Sequence, residues 1–504
     1  YTQYAFGAID SYGNDYRSLF KIYKSSSWVK QVNYIHRRCL QFNDTMVHKN
    51  KNIILIGYLD QGNLATGYIG AVLIEHGYGV HIIDVRQNFD VIKQLIIKHD
   101  PVLIGLSLIF QYFLDQYKKI SQFIRSIGIS CHITIGGHYP SLRYEKVLTE
   151  IPCLDSVVIF EGELTLLKLA KRITNNRDWK RTKGIAYVEK GNIIVNPFRA
   201  LIPDLDRLPF PYRPFKPIMI LGKNSAPIIA SRGCVRNCAF CSIREFYGRA
   251  PGKIVRRRSP MNVVKEIKQL YDETKITIFL FQDDDFPIVG EKGRRWIYSF
   301  IDELKQQKLV GKVIWKISCR ADEVDEDLFL EMKKAGLYYV YLGIESGTNE
   351  GLKVLKKQMT VEQILSAIYT LKKIDILFGY GFMLFDPSST YDKIRSNVLF
   401  LKKIIGDGSA AAVFGRMLPY AGTSIEKSLS AEGRLRGNTL HPDYVFVDPS
   451  INRYYNILHD SLSSWISGPK SVSSQLDKAL YEAAIIKRLF IKIDGVQKYE
   501  ELTK

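Results

Sequence analysis

Three cysteines, Cys234, Cys238 and Cys241, follow one another in a short loop directly after the apolar run 227–230. Thiolates are preferred ligands of iron–sulfur clusters and other soft metals, and this close spacing lets one loop bind a cluster from one side. A four-iron cluster has four ligand positions, so three cysteines leave one iron free for a molecule that is not protein, much as catalytic metal sites keep an open position. A zinc loop is the alternative, but no fourth Cys or His lies nearby in the sequence to complete it.

The cysteine loop resembles the cluster motif of the radical S-adenosylmethionine (SAM) superfamily, which has this spacing and an aromatic residue before the last cysteine. Phe240 occupies that position. The resemblance implies that Cys234, Cys238 and Cys241 hold a [4Fe-4S] cluster whose free iron chelates the amino and carboxylate groups of SAM. One electron from such a cluster would cleave SAM to methionine and a 5′-deoxyadenosyl radical.

The region around the cysteine loop alternates between strand and helix patterns from residue 226 to residue 424. Six successive strand–helix units predict a partial (β/α)6 barrel of the TIM type, with its site at the carboxyl ends of the strands. The predicted strands are 227–230, 276–281, 313–318, 338–342, 376–384 and 410–418.

Polar residues follow most of these predicted strands. The resemblance assigns SAM binding to residues at these ends, namely Asp284, Asp285, Arg320, Glu345, Ser346, Asp386 and Leu418. In the acidic run 283–285, adjacent carboxylates would repel one another, so we expect a cationic partner such as the amino group of SAM for at least one of them. The resemblance further implies that residues 385–387 and 417–419 contact the adenine.

Residues 51–175 also alternate between short apolar runs and helical patterns, which predicts a doubly wound, Rossmann-like parallel sheet. The predicted strands are 52–57, 79–85, 102–108, 132–135 and 156–160. Ligands of such sheets lie at the carboxyl ends of the strands. No G-x-G-x-x-G motif opens the first helix, which disfavours a dinucleotide.

This segment resembles the cobalamin-binding domain that precedes the radical SAM domain in one large subgroup. The resemblance implies that a set of loop residues lines the corrin and its tail pocket, namely Gly67, Gly70, Ser107, Gly136, Gly137, His138, Glu161, Gly162 and Glu163. The loop 60–63 has no histidine, unlike the D-x-H-x-x-G motif of other cobalamin proteins, so cobalt would be bound without a protein imidazole. We interpret His138 rather as a helix-capping or packing histidine.

The remaining segments carry less information. We interpret residues 1–50 as an extension, and residues 176–225 as a linker with a hairpin at 184–195 and a proline-rich bridge. Residues 425–504 have helical patterns and are expected to cap the barrel and select the substrate. Tyr454, Tyr455 and Trp465 are candidates for a substrate pocket, although core packing explains them more simply.

The composition limits the partners and the compartment. The net charge of +20 favours an anionic or carrier-bound substrate, but a solvated basic surface explains it too. The short basic runs lack interleaved aromatic residues, which disfavours nucleic acid as a partner. Seven cysteines, three of them clustered, indicate a reducing cytoplasm, and no apolar run reaches the roughly 18 residues of a membrane span.

The two resemblances together imply a cobalamin-dependent radical SAM C-methyltransferase. Such an enzyme methylates an unactivated carbon of a small-molecule or carrier-bound biosynthetic intermediate, and it needs an electron donor such as flavodoxin or ferredoxin. In the family, one SAM methylates cobalamin and a second SAM yields the radical. Two alternatives stay open: a radical SAM cyclase, mutase or ring-contraction enzyme that uses cobalamin without methyl transfer, and a non-catalytic corrinoid-binding protein.

Overall fold

The computed structural model describes residues 51–59 and 62–490. The predictions for residues 1–50, for Asp60 and Gln61 and for residues 491–504 lie outside this range. Among the helices of the described residues, none has both the length and the hydrophobicity of a membrane-spanning segment.

The first half of the chain forms a seven-stranded sheet in the order β2-β1-β3-β4-β5-β6-β7. Its strands are β1 (Asn52–Gly57), β2 (Gly79–Asp84), β3 (Leu103–Ser107), β4 (His132–Gly136), β5 (Ser156–Val158), β6 (Ile185–Glu189) and β7 (Asn192–Val195). The first five strands run parallel, as predicted. Their apolar runs are buried on both faces, and Ile53 and Ile54 are fully buried.

Six helices cover this sheet: α1 (Leu64–Glu75), α2 (Phe89–His99), α3 (Leu114–Ser126), α4 (His138–Leu142), α5 (Tyr144–Glu150) and α6 (Glu163–Thr174). Local chemistry sets their ends. The Asn63 side chain accepts a hydrogen bond from the Thr66 amide at 3.1 Å and so caps α1. Asp100, with a left-handed φ of 41°, ends α2 just before Pro101. A 3-10 turn at Gln111–Phe113 leads into α3.

The hairpin formed by β6 and β7 belongs to the first sheet. β6 pairs antiparallel with β5, and β7 pairs antiparallel with β6. This hairpin was predicted within the linker between the domains, but it pairs with the first sheet instead. The hairpin turn was recognised correctly, but only the free edge of β5 determines where the hairpin docks.

The second half of the chain forms another seven-stranded sheet, in the order β16-β15-β14-β13-β12-β9-β8. Its strands are β8 (Ile218–Ile220), β9 (Lys223–Ile228), β12 (Ile276–Phe281), β13 (Ile314–Arg320), β14 (Leu337–Glu345), β15 (Leu377–Phe385) and β16 (Gly415–Arg416). All pair in parallel except β8, so six parallel strands form the predicted partial barrel. The sixth strand was predicted over 410–418 and is much shorter, because β16 pairs only with Met383 and Phe385.

A short ribbon of β10 (Ser231–Arg232) and β11 (Arg256–Arg257) stands at the base of the cysteine loop. The helices of this half are α7 (Ile243–Gly248), α8 (Pro260–Thr274), α9 (Gly290–Gln306), α10 (Glu326–Lys334), α11 (Asn349–Val354), α12 (Val361–Lys373) and α13 (Tyr391–Ile405). Phe279, Trp315 and Phe382 pack on one face of the sheet in a core that includes residues of these helices. Because helices cover this face, the carboxyl ends of the strands remain available for a binding site.

The C-terminal region is helical, as predicted, but it also contains a small hairpin. It comprises α14 (Ser424–Ala431), β17 (Leu435–Gly437), β18 (Pro442–Tyr444), α15 (Pro449–Ile466) and α16 (Val472–Leu489). In α15 only Ile451 is buried. In α16, Ile485 packs on Ile278, Tyr339 and Tyr341 of the second sheet. Trp465, a candidate for a substrate pocket or for the core, is 62% exposed.

Candidate functional site

The acidic segment after β12 lies against the start of the cysteine loop. The Asp283 carboxylate accepts a hydrogen bond from the Ser231 hydroxyl at 2.6 Å, and each of its oxygens lies 3.1 Å from the Ala230 amide. Burial raises the pKa of Asp283 to about 7, against these hydrogen bonds. Asp283 therefore joins two strand ends rather than facing a ligand.

Asp284 and Asp285 continue this contact around the loop. The Gly233 amide donates to Asp284 at 2.8 Å, and the Cys234 thiol lies 3.6 Å from an oxygen of Asp285. Burial raises the pKa of both carboxyl groups, so the positive charges nearby do not fully offset the cost of burying them. A bound ammonium group would supply further positive charge, which fits the predicted contact with the amino group of SAM.

The three cysteines are half-buried along one loop. The Arg236 amide donates to the Cys234 sulfur at 3.4 Å, and the Cys241 amide donates to the Cys238 carbonyl at 3.2 Å. Burial raises the pKa of the Cys241 thiol to about 12, as expected for a sulfur that faces little water.

Within residues 51–59 and 62–490, no three His, Cys, Asp or Glu side chains converge as ligands of one metal ion would. A four-iron cluster does not require such convergence, because each thiolate binds a different iron. The arrangement of the three thiols is compatible with a four-iron cluster.

Gly233 gives the loop its shape. Its φ is +84°, and a Cβ atom there would lie 2.1 Å from the Ile254 carbonyl oxygen. Only glycine tolerates this conformation and this contact, so position 233, next to Cys234, requires glycine. The sequence analysis did not single out Gly233, although a glycine directly before a ligand cysteine is a usable signal.

Two buried polar atoms without a hydrogen-bond partner in the described structure lie at the ends of β13 and β14. One is a terminal nitrogen (Nη1) of Arg320, whose Nε binds Asp322 at 2.8 Å, and the other is Oε2 of Glu345. Lys357 lies 3.5 Å from the other oxygen of Glu345. Burial lowers the pKa of Lys357, but the charges of Glu345 and Cys238 outweigh it, so the ammonium stays protonated near the loop.

Unpartnered donors and acceptors of this kind fit a zwitterionic ligand such as the methionine part of SAM. Lys357 escaped the sequence analysis, because it lies between two helices in a segment without periodicity.

Ser346 and Asp386 have partners within the protein. The Ser346 hydroxyl lies 3.3 Å from the Asn397 side-chain oxygen, which also accepts from the Gly347 amide at 2.8 Å. Asp386 accepts from both the amide and the hydroxyl of Ser388 at 2.7 Å, which forms a turn after β15. These two residues shape the strand ends, and direct contact between them and SAM stays a prediction. Leu418 follows β16 and is half-buried.

The carboxyl ends of β3 and β4 form a tight edge in the first sheet. Gly137 has a φ of +117°, and a Cβ atom there would lie 2.1 Å from the Leu108 carbonyl oxygen. The Leu108 amide in turn donates to Gly136 at 2.9 Å. Ser107 precedes this contact and is half-buried. The predicted group Ser107, Gly136 and Gly137 is thus brought together, as a ligand at this edge would require.

Gly67 and Gly70 lie in helix α1. A Cβ atom on Gly67 would lie 3.0 Å from the Tyr212 carbonyl oxygen, and one on Gly70 would lie 3.5 Å from the Tyr212 ring. The Cβ positions of both glycines point towards Tyr212 of the linker, and their assignment to the corrin stays a prediction. Gly162 is similar, since its Cβ position is 3.0 Å from the Ile69 side chain. In all three cases small size serves packing between elements of this chain.

Glu161 and Glu163 follow the carboxyl end of β5 and form ion pairs with arginines at the base of the cysteine loop. Arg232 binds Glu161 at 3.0 Å and Glu163 at 2.6 Å, and Arg256 binds Glu161 at 2.7 Å. Both carboxylates thus have cationic partners within the protein, and their assignment to cobalamin stays a prediction. The sequence shows two acids in a loop after a strand, but it does not show which cations the fold brings to them.

His138 packs between aromatic rings. Its imidazole stacks on Phe246 with ring centres 4.0 Å apart and meets Tyr247 edge-on at 6.4 Å. Burial lowers the pKa of His138 to about 3, so the ring is neutral at physiological pH. The interpretation as a packing histidine is confirmed, and its inclusion among the residues that line the corrin finds no support in these contacts.

Aromatic residues from both halves of the chain meet at the ligand edge of the first sheet. The rings of Phe110 and Tyr420 are 5.7 Å apart, and Tyr112 stacks on Phe110 at 5.3 Å. The hydroxyls of Tyr112 and Tyr420 are buried without a partner among the described residues. Burial raises the pKa of both phenols, so both keep their protons. A large ligand with amide carbonyls, such as cobalamin, fits donors of this kind.

Two protein families match the chain. The Radical SAM superfamily matches residues 228–401, and the B12 binding domain matches residues 57–170. The first range contains the three cysteines, and the second contains the parallel part of the first sheet.

Three relatives differ in the reaction that their names state. An uncharacterized methyltransferase of Pyrococcus horikoshii is 30% identical over 72% of this chain and 77% of its own length. The cytidylyl-2-hydroxyethylphosphonate methyltransferase of Streptomyces wedmorensis is 24% identical over 78% of this chain and 80% of its own. The anaerobic magnesium-protoporphyrin IX monomethyl ester cyclase of Rubrivivax gelatinosus is 28% identical over 60% of this chain and 55% of its own.

Two solved structures share the fold. The cobalamin-dependent S-adenosylmethionine radical enzyme OxsB, with aqua-cobalamin and S-adenosylmethionine bound, has a TM-score of 0.67 at 19% identity, over 87% of this chain and 71% of its own. The radical S-adenosylmethionine methyltransferase TsrM of Kitasatospora setae, with tryptophan and a SAM analogue bound, has a TM-score of 0.68 at 15% identity, over 90% of this chain and 98% of its own.

Proposed function

The chain belongs to the cobalamin-dependent radical SAM enzymes, and on this premise we propose that it is a C-methyltransferase that methylates an unactivated carbon. The observation that carries the proposal is the meeting of the two ligand edges. Gln111, after β3, accepts from the Ala421 amide at 2.7 Å and donates to the Thr439 carbonyl at 3.0 Å. This buried amide joins the first sheet's ligand edge to the segment that follows the barrel.

The bound cofactors would supply the reactive groups, a 5′-deoxyadenosyl radical from SAM and the cluster and a methyl group carried by cobalamin. Cys234, Cys238 and Cys241 would hold the cluster. Asp284 and Asp285 would bind the ammonium of SAM, while Arg320 and Lys357 would bind its carboxylate. These roles are supported by the buried Nη1 atom of Arg320, which has no hydrogen-bond partner among the described residues, and by the raised pKa of Asp284 and Asp285.

The protein's remaining task is to hold the substrate carbon between the two edges and to exclude water. The aromatic residues Phe110, Tyr112 and Tyr420 line the junction and would provide an apolar wall with two hydroxyl donors. The half-buried Tyr454 and Tyr455 of α15 pack against Phe385 at the end of β15 and would close the barrel side.

The substrate and the auxiliary partners follow from charge and chemistry. The net charge of +20 supports an anionic or carrier-bound intermediate of a biosynthetic pathway. The radical chemistry needs a one-electron donor such as flavodoxin or ferredoxin, and free thiols at the cluster need a reducing compartment, the cytoplasm.

The test uses full-length protein reconstituted anaerobically with iron, sulfide and hydroxocobalamin. With dithionite, methyl-deuterated SAM and extract of the source cells, we expect S-adenosylhomocysteine and 5′-deoxyadenosine in equal amounts and one deuterated methyl group in a new product. Omitting dithionite should stop the formation of 5′-deoxyadenosine. A wild-type protein that binds no hydroxocobalamin, judged by its visible spectrum, would rule the proposal out.

A second candidate function is cyclisation or another rearrangement without methyl transfer, which the relative named as a cyclase favours. The same reaction separates the two candidates. A cyclase or mutase forms 5′-deoxyadenosine without S-adenosylhomocysteine, and its product carries no deuterium from the methyl group.

A further inference from the structure

A buried ion network joins the first domain to the base of the cysteine loop. Glu161 and Glu163 follow β5 of the first sheet, whereas Arg232 and Arg256 lie on the paired strands β10 and β11. Arg232 lies between the two carboxylates at 3.0 and 2.6 Å, and Arg256 binds Glu161 at 2.7 Å. All four side chains are almost fully buried, the most exposed being Arg232 at 11%.

The network is balanced in charge, with two carboxylates against two guanidinium groups. Burial alone would raise the pKa of Glu161, but Arg232 and Arg256 outweigh it and lower that pKa. Arg232 also lies over the Tyr68 ring at 5.0 Å, and Arg256 lies over the Tyr247 ring at 5.2 Å and donates to the Ile202 carbonyl at 3.1 Å. The charges of both arginines also act on Asp284, but neither forms an ion pair with it. Removing a carboxylate would therefore leave a buried cation uncompensated.

This network is coupled to the cluster ligands through one residue. Only Gly233 separates Arg232 from Cys234, and the backbone of Gly233 has little freedom because of its contact with Ile254. The Gly233 amide also donates to Asp284 at 2.8 Å. A movement of the Arg232 backbone would thus move Cys234.

We propose that Glu161 and Glu163 are positioning residues through which the cobalamin-binding domain sets the place and the reduction potential of the cluster. A reduced cluster carries one more negative charge than an oxidised one, so a nearby uncompensated cation favours the reduced form. The two carboxylates cancel the charges of Arg232 and Arg256 and hold the potential low. This inference rests on the assignment of the cluster to the three cysteines, and it is independent of methyl transfer.

The test is a redox titration of the full-length, anaerobically reconstituted protein. Dithionite supplies the single electron that reduces the cluster, and the reduced form is measured by electron paramagnetic resonance. Glu161→Gln and Glu163→Gln should each raise the midpoint potential, and the double variant should raise it further. Asp155→Asn is the matched control, because it removes the partner of Arg125 within the first domain at 2.6 Å, and it should leave the potential unchanged.

A charge-balanced variant separates electrostatics from simple loss of structure. Glu161→Gln combined with Arg256→Gln removes one anion and one cation, so its potential should return towards the wild-type value. If the Gln single variants take up no cluster, restored uptake in the balanced variant supports the proposal equally. An unchanged potential in both Gln single variants would overturn it, as would a balanced variant that deviates as far as they do. A wild-type protein without a four-iron cluster would instead refute the site assignment itself.

Discussion

The tight edge of the first sheet offers a direct test of the cobalamin site, through the substitution Gly137→Ala. Gly137 has φ +117° and ψ −170°, a region that only glycine adopts readily, and forcing alanine into it costs about 1–3 kcal/mol. The new methyl group would also lie 2.1 Å from the Leu108 carbonyl oxygen, a backbone atom that cannot rotate away. Overpacking of this kind costs about a further 1–3 kcal/mol. We expect a total loss of about 2–6 kcal/mol in the free energy of unfolding.

Gly128→Ala is the matched control for this substitution. Gly128 also has a positive φ, of 81°, but an added Cβ atom meets nothing within 4 Å. Its cost is therefore only about 1–2 kcal/mol from backbone strain. Urea unfolding followed by circular dichroism gives both free energies.

The functional readout for Gly137→Ala is a titration with hydroxocobalamin followed in the visible spectrum, beside the iron content of the reconstituted protein. Displacement of the loop after β4 should weaken cobalamin binding at least about tenfold, which corresponds to about 1.4 kcal/mol. Iron content should stay at the wild-type level, since the cysteines lie in the other half. Equal stability of the two alanine variants, or unchanged cobalamin affinity in Gly137→Ala, would refute the reasoning.

Three further predictions address other parts of the site. Cys238→Ala should abolish cleavage of SAM and lower the iron content while hydroxocobalamin still binds, and SAM cleavage that persists would contradict the cluster assignment. Since His138 has a pKa of about 3 in the fold and about 6.5 when unfolded, its stabilising effect is complete above pH 6.5 and is lost as the pH falls towards 3. Between pH 7 and pH 5 the wild type should therefore lose about 2 kcal/mol relative to His138→Phe in urea unfolding, and a constant difference would contradict this. Tyr112→Phe and Tyr420→Phe should each weaken hydroxocobalamin affinity by up to about tenfold, the value of one hydrogen bond, with unfolding free energies that do not fall. Unaltered affinity in both variants would remove these hydroxyls from the cobalamin site.

The regular elements could be predicted from local patterns. The strands Asn52–Gly57 and Ile276–Phe281 have the predicted bounds, because each is a continuous apolar run with a sharp stop. Strand β16 was predicted too long, since the apolar residues 410–414 lie beside the sheet and do not pair with it. Apolar character alone does not distinguish these two arrangements.

The site was predicted less completely than the fold. The cysteines follow from their spacing, and the ends of β12, β13 and β14 follow from the topology of a parallel barrel. Glu161 and Glu163 could not be assigned, because their partners are about 70 to 95 residues away in sequence and become neighbours only when the two halves pack. Tyr112 and Tyr420 were not predicted either, because the sequence does not show that their hydroxyls are buried without a partner among the described residues.

The bridge made by Gln111 has a consequence for the order of folding. Its two hydrogen bonds join residues that are 310 and 328 positions apart in the chain, whereas the strands of the first sheet are local. Contacts of such separation form late, because the intervening chain must first be synthesised and folded. The last strand of the first sheet ends at Val195, about 225 residues before Ala421, so the first domain emerges from the ribosome well before the segment that completes its ligand edge. The carboxyl edge of the first sheet is therefore completed only after the second half of the chain has been synthesised.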